Sequence, residues 1–294
     1  MKIVANIPCW KMPEVVRTMI KYIPDWITPV FCVSPEDPHV DDLVSTIQLY
    51  GFDVVMTPNE PLGLKQNKLI EYIKNNYDFD YMMHLGSDDI INPDLLSLYM
   101  PFMIKKLPFF GIGDVYFWKY KSDKMQLLKD YNENHAIGGA RMISRELLDQ
   151  CGDIYPDHVC CGMDNHSREQ IKKTTGVEDV KINTNGVPYL VDIKTNTNIN
   201  PLQMFPESMS DRFEEKDAKE VLKHFEKRVN TDIIYNLSDN DSFFKLFYRF
   251  KDNFEKQQNC FDWLNIMCID MFGAPKYANY NAFRVHKSKF DKKS

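Results

Sequence analysis

The sequence predicts an α/β protein on a mostly parallel sheet flanked by helices, with a helical appendage at its C-terminal end. Three observations point there. Short apolar runs alternate with amphipathic helical patterns through the first third of the chain. An acidic pair, Asp88-Asp89, directly follows the fourth of those runs. From Asp211 onward the composition turns to charged helical patterns. Strands alternating with helices of about ten to fifteen residues build βαβ units, whose crossovers make neighbouring strands parallel.

Taken in order, Lys2–Ile7 reads as a strand, and Met12–Ile23 as a helix with Val15, Val16, Met19, Ile20 and Ile23 on one face. Pro29–Val33 is a second strand, ended by Ser34-Pro35-Glu36-Asp37-Pro38. Val40–Tyr50 is a second helix, stopped by Gly51. Asp53–Met56, Leu64–Tyr77 and Asp80–Leu85 continue as strand, helix and strand. Pro93–Ile104 reads as a helix and Phe109–Tyr120 as an aromatic β segment. Ala136–Arg145 carries a Gly-Gly pair, Asp164–Lys173 opens a helix, and Val187–Ile193 is a late strand. Arg212–Val229, Ser242–Phe254 and Phe261–Met271 read as helices. A catalytic domain over residues 1–205 and an appendage over 206–294 are expected.

Bulk properties narrow the function classes. Of 294 residues, 44% are hydrophobic and 27% charged, ordinary for a chain that buries a core. The net charge of −6 speaks against a cationic nucleic-acid binder. That charge is uneven: residues 1–210 hold 20 Lys/Arg against 28 Asp/Glu, and residues 211–294 hold 16 against 14. The last stretch, Arg284 to Lys293, is basic and reads as a solvated tail or as a contact for a polyanion. Seven cysteines, with Cys160 and Cys161 adjacent, suit a reduced, cytoplasmic protein. No apolar run approaches the roughly 18 residues of a membrane span, so membrane contact would be peripheral.

Ligands of open α/β sheets sit beyond the carboxyl ends of the strands. That rule gathers the segments after Ile7, Val33, Met56 and Leu85 on one rim. Gly86-Ser87-Asp88-Asp89 stands there. Adjacent carboxylates next to a folded core are costly unless neutralised, and a hard divalent cation bridged to phosphates would do it. The same residues with Asn92-Pro93 also make a good turn, and residue type alone leaves both open. Trp10 in Ile7-Pro8-Cys9-Trp10 could stack on a base or simply pack. Asn6 could reach a uracil or a ribose. Gly63 allows close backbone approach, and Lys65 or Lys68 could meet a diphosphate at a helix start or point to solvent. Gly138-Gly139 serves a turn or a ligand approach. Asp164, at a helix start, is a dipole-compensating acid or a base. Asp192, in Val191-Asp192-Ile193, is loop chemistry or a further polar contact to a metal or acceptor.

The run YMMHLGSDDIINPDLL resembles the metal-binding DxD region of GT-A glycosyltransferases, particularly the family 2-like group. KIVANIPCWKMPEVVRTMIKYI resembles that family's first βα unit, HAIGGARMISRELL its glycine-rich segment, and residues 1–195 follow its order of elements. The resemblance implies a GT-A, Rossmann-like fold and a nucleotide-sugar donor, by family habit a UDP-sugar, with Mn²⁺ or Mg²⁺. It places Asp88 as metal and diphosphate ligand with Asp89 beside it. Asn6, Pro8, Trp10, Gly63, Lys65, Asn67 and Ser87 fall around the donor. Gly138, Gly139 and Arg141 line the donor sugar and acceptor, and Asp164 is the general base. One departure stands out: Gly86 sits where the family often has its first Asp. The acceptor implied is a glycan, or hydroxymethylated cytosine in DNA as in small phage and viral enzymes.

Other classes fall away. No G-x-x-x-x-G-K-[ST], G-x-G-x-x-G or G-x-S-x-G motif is present, and Gly111-Ile112-Gly113 lacks the third glycine. His158, Cys160, Cys161 and His166 match no zinc spacing. A nucleotidyltransferase remains a rival, although Ile7-Pro8-Cys9-Trp10-Lys11 is not a glycine-rich basic phosphate loop. A non-catalytic binding module is the other.

Overall fold

A computed structural model describes residues 1–131, 134–195, 212–225, 237 and 239–291. The fold is mixed α/β with two sheets. The elements β1 (Ile3–Pro8), α1 (Pro13–Ile20), β2 (Ile27–Val33), α2 (Val40–Leu49), β3 (Asp53–Met56), α3 (Leu62–Asn76) and β4 (Tyr81–His84) follow the expected alternation closely. Then come β5 (Asp89–Ile91), α4 (Leu95–Ile104), β6 (Phe109–Ile112), β7 (Val115–Lys119), β8 (Lys124–Leu128), β9 (Arg141–Ser144) and α5 (Arg145–Cys151). The remainder is α6 (Met163–Thr175), β10 (Val180–Ile182), β11 (Leu190–Lys194), β12 (Phe213–Asp217), α7 (Ala218–Leu222), α8 (Asn240–Phe250), α9 (Gln257–Phe272) and α10 (Tyr280–Asp291).

The first sheet has seven strands in the order β10-β6-β9-β4-β1-β2-β3, parallel except where β9 pairs antiparallel with β4 and β6. Its central strands β1, β4 and β6 are buried along nearly their whole length and so read as largely apolar runs rather than alternations. Leu69, Ile70 and Ile73 of α3 pack with Val4, Val30, Met82 and Ile143 of the sheet, all nearly free of solvent. The second sheet has five strands in the order β12-β8-β7-β11-β5. Its core joins Ile90, Tyr116, Leu127, Val191 and Ile193. The chain leaves the first sheet at His84 and enters the second at Asp89, so Gly86-Ser87-Asp88 is the step between them.

Two expectations are corrected. Phe109–Tyr120 is two strands in different sheets, because the chain turns at Gly113-Asp114. Where a helix was expected from Arg212, residues Phe213–Asp217 form β12, paired antiparallel with β8 and held by Lys124–Glu215 at 3.1 Å and Lys129–Glu214 at 2.5 Å. Charge complementarity across the ladder outweighs the helical preference of Glu and Lys. The helix starts only at Ala218, where the Asp217 carboxylate accepts from Glu220 N at 3.1 Å.

The chain divides into two compact units, Met1–Val40 with Phe52–Arg228, and Asp41–Gly51 with Val229–Ser294. Within the second, Phe243, Phe247, Phe261 and Phe283 form an aromatic core, with Phe247 and Phe283 rings 4.8 Å apart. Trp263 Nε1 donates to Thr46 Oγ1 at 3.0 Å. The basic stretch is helical as far as Asp291, where α10 carries a Lys287–Asp291 pair at 2.8 Å. Residues 292–294, the expected boundary at 205/206 and residues 226–229 of the expected helix lie outside the described residues.

Candidate functional site

The candidate site is assembled by the step from β4 to β5. Asp89 begins β5, and in the antiparallel ladder with β11 it stands directly opposite Asp192. Like charges facing one another across a ladder are destabilising. Asp88 joins them: ligand oxygens of Asp88, Asp89 and Asp192 all lie within 4.8 Å of one another. One cation is at hand, Lys194, whose Nζ is 2.6 Å from Asp192 Oδ2. Asp192 Oδ1 is buried and has no hydrogen-bond partner among the described residues. Burial, then Asp88 and Asp192, push the Asp89 carboxyl well above the usual range. Asp192 is pushed up to about 7 by burial, opposed by Lys194 and assisted by Asp88. Burial works against the Lys194 ammonium, but Asp192 and Asp88 hold its pKa above the usual value.

Gly86 now has a structural reason. A Cβ there would overlap the Asp88 carboxylate, which folds back over the glycine. The Gly86 amide donates to Asp89 Oδ2 at 2.6 Å. Any side chain at 86 would displace the acids.

Above the acids lies a cavity of about 430 Å³, lined among others by Pro8, Trp10, Lys65, His84, Asp88 and Asp164. A smaller one of about 100 Å³ adjoins Asp89, Gly138, Gly139, Asp164 and Asp192. Asp164, the second residue of α6, has a half-exposed carboxylate, and a Cβ on Gly138 would overlap it. A Cβ on Gly139 would come within 2.8 Å of Leu190 and 3.1 Å of Asp89 Oδ2. The glycine pair is therefore the floor against which both acids rest. Arg141 is fully buried: its Nη1 donates to Asp164 O at 3.2 Å and its Nη2 to Ser167 Oγ at 2.9 Å. Nη2 also lies 3.6 Å from Asp164 Oδ1, so Arg141 fixes the start of α6.

Other expected donor residues are placed differently. Lys65 is 1% exposed, and its ammonium donates to Cys9 O at 2.7 Å, Ser34 Oγ at 2.8 Å and Asn59 Oδ1 at 3.1 Å. Burial lowers its pKa. It ties the segments after β1, β2 and β3 together. Asn67 Nδ2 donates to Tyr155 O at 2.7 Å and its Oδ1 accepts from Tyr155 N at 3.2 Å. Gly63 packs on the same segment, where a Cβ would strike the Pro156 carbonyl. Asn6 is fully buried and donates to Gln66 Oε1 at 2.9 Å. Ser87 is 5% exposed and lines the cavity, as do Pro8 and Trp10. The Lys11 ammonium sits 5.0 Å from the Trp10 ring centre.

The sequence reading kept Asp192 outside its site set and did not single out His84 or Lys194. Asp192 carries a local signal, an acid inside an apolar strand, but only the β5–β11 register brings it to Asp89.

A larger groove of about 920 Å³ lies at the opposite ends of the same strands, beside Phe79, Tyr81, Ser144 and Arg145. One ion pair stands there, with Arg145 Nε donating to Asp149 at 2.9 Å. All seven cysteines are free, and no described helix is long and apolar enough to cross a membrane.

No protein-family model matches the chain, and no curated protein matches it. Solved structures with a similar chain course include S. aureus TarS residues 1–349 in complex with UDP-GlcNAc, at 11% identity and a TM-score of 0.45, covering 93% of this chain and 73% of that one. A CMP:2-keto-3-deoxy-manno-octonic acid synthetase complexed with CTP matches at 13% identity and a TM-score of 0.40, covering 63% of this chain and 91% of that one. A197 from STIV matches at 10% identity and a TM-score of 0.36, covering 63% and 83%.

Proposed function

We propose that this protein transfers a glycosyl group from a nucleotide-diphosphate sugar to an acceptor hydroxyl, with a divalent cation at Asp88, Asp89 and Asp192. The observation that carries the reading is the three-carboxylate set beneath a cavity of about 430 Å³ that Asp164 also lines. The residues fit a hard cation: every donor is oxygen, one lysine faces three acids, and Asp192 Oδ1 is buried without a partner among the described residues. When bound, such a cation neutralises the diphosphate and the charge on the departing nucleotide.

The chain's own residues divide the remaining work. Trp10, partly buried at the cavity wall, offers a stacking face to the nucleobase, with Pro8 beside it. Gly138 and Gly139 leave room for the Asp164 and Asp89 carboxylates beside the smaller cavity, where the transferred sugar would sit. Asp164 takes the proton of the attacking hydroxyl, and Arg141 holds its backbone in place. A UDP-sugar and a glycan acceptor suit the resemblance and the acidic first 210 residues. The test is thermal shift with UDP, GDP and their sugars, with and without Mn²⁺, followed by product identification. A ligand at a hundredfold excess over its Kd stabilises by about 2.7 kcal/mol. A Mn²⁺-dependent shift lost in Asp88→Asn supports the site. Diphosphate release from a nucleoside triphosphate would instead make the enzyme a nucleotidyltransferase, and transfer to hydroxymethylated DNA would change the acceptor.

A further inference from the structure

A polar row crosses the middle of the first sheet. The registers β1–β4 and β4–β9 place Asn6 beside His84 and His84 beside Arg141, three polar residues side by side in the centre of the sheet. All three are buried, at 0%, 8% and 0% exposure. Burying polar groups there is costly unless each is bonded. Asn6 and Arg141 have protein partners, as described above. His84 is half satisfied.

Its Nδ1 lies 3.1 Å from Asn6 Nδ2 and 3.5 Å from the Tyr155 hydroxyl. Gln66 Oε1 needs a donor and finds it in Asn6 Nδ2 at 2.9 Å, which fixes the amide with its NH₂ toward both Gln66 and the imidazole. In that amide orientation Nδ1 accepts and the ring proton resides on Nε2, whereas the opposite orientation would turn Asn6 Oδ1, 3.3 Å away, to an Nδ1–H. Nε2 has no protein partner among the described residues, yet it is not among the buried atoms left unsatisfied, and His84 lines the 430 Å³ cavity. Asp88 and Asp164 line the same cavity, and Asp164 is close enough to act on the His84 charge.

We propose that His84 is a ligand-contacting residue of this site, a neutral imidazole whose Nε2–H donates to an acceptor oxygen of the bound nucleotide-sugar. This rests on the transferase reading above. Its neutrality agrees with burial, which pushes the His84 pKa down to about 4 despite the nearby Asp164. With neutral His84 at hand, the donor is recognised without adding another charge between two acids.

Two variants separate contact from packing. Gln places an amide donor near the Nε2 position, whereas Asn fills only the Nδ1 position and leaves the cavity side bare. With Mn²⁺ and the nucleotide-sugar that stabilises the wild type, His84→Asn should weaken affinity on the order of tenfold to a hundredfold, and His84→Gln by no more than about threefold. Equal affinity of His84→Asn and wild type overturns the contact alone, as does equal loss in both variants. A wild type that no nucleotide-sugar stabilises overturns the transferase reading and the contact with it. Independently of any variant, ¹⁵N NMR of the wild type should find the Nε2–H tautomer with its exchange slowed by the nucleotide-sugar. An Nδ1–H tautomer overturns the proposal.

Discussion

The start of α3 and the β5–β11 side of the site are built from the same kinds of residue and behave oppositely. At the start of α3, Gly63, Lys65 and Asn67 are polar or small and look like ligand-binding residues, though only Lys65 lines the cavity. Each is already committed to protein: Lys65 to three neutral acceptors, Asn67 to the Tyr155 backbone, and Gly63 to the Pro156 carbonyl. On the β5–β11 wall, Asp88, Asp89 and Asp192 crowd together against one lysine, and one buried oxygen is left over. Satisfied polar groups are architecture. Groups that the fold leaves short of partners are where chemistry is held ready.

The sharpest way to break this contrast is Asp88→Asn. It should lower Mn²⁺-dependent turnover on the order of a thousandfold, read by steady-state kinetics, with an unaltered melting temperature in the absence of metal. Unchanged kinetics would make the acidic wall ordinary surface. Lys65→Met should do the reverse. Two buried acceptors and one half-buried one lose their donor, so stability falls by about 3 kcal/mol, visible as a lower urea midpoint at constant m-value. Its nucleotide affinity, measured well below the melting temperature, should stay within about threefold. Should Lys65→Met instead abolish nucleotide binding with stability intact, the lysine belongs to the ligand after all.

Glycines give the same contrast on a smaller scale. Gly138→Ala displaces a half-exposed carboxylate, so kcat should fall about a hundredfold with stability changed by less than about 1 kcal/mol. Gly63→Ala meets backbone, and its loss should register in melting temperature rather than in kcat. The smallest effect concerns His84, whose folded pKa of about 4 lies below the unfolded value of about 6.5. Between those values the unfolded chain binds the extra proton, so stability falls as pH falls. From pH 6.5 to pH 5 the wild type should lose about 2 kcal/mol that His84→Asn keeps, measured by denaturation at each pH.

Much of the first sheet was legible in the sequence. The alternation through His84 and the acids at its end follow from local patterns that need no distant partner. The second sheet was harder because its strands pair across long separations. β5 is three residues long and reads as a turn until β11, about a hundred residues later, is set beside it. β12 reads as helix until β8 supplies the opposite charges. The site followed the same division. Asp88, Asp89 and Asp164 announce themselves locally, whereas Asp192 acquires its meaning from register alone. His84 was hidden for another reason, as one polar residue in an apolar strand gives no sign of which ring nitrogen faces inward.

Among the described residues, the three-residue strand β5 ends its sheet and is paired on one side only, to β11. Short edge strands are the segments from which local opening starts, and here two facing acids push against the pairing. Neutralising them would remove that repulsion and close the edge like a clasp. Amide hydrogen exchange at Ile90, Ile91 and Val191 should then slow when the cation arrives, before any sugar is added. The protein would report occupancy of its site by how tightly one sheet edge is zipped.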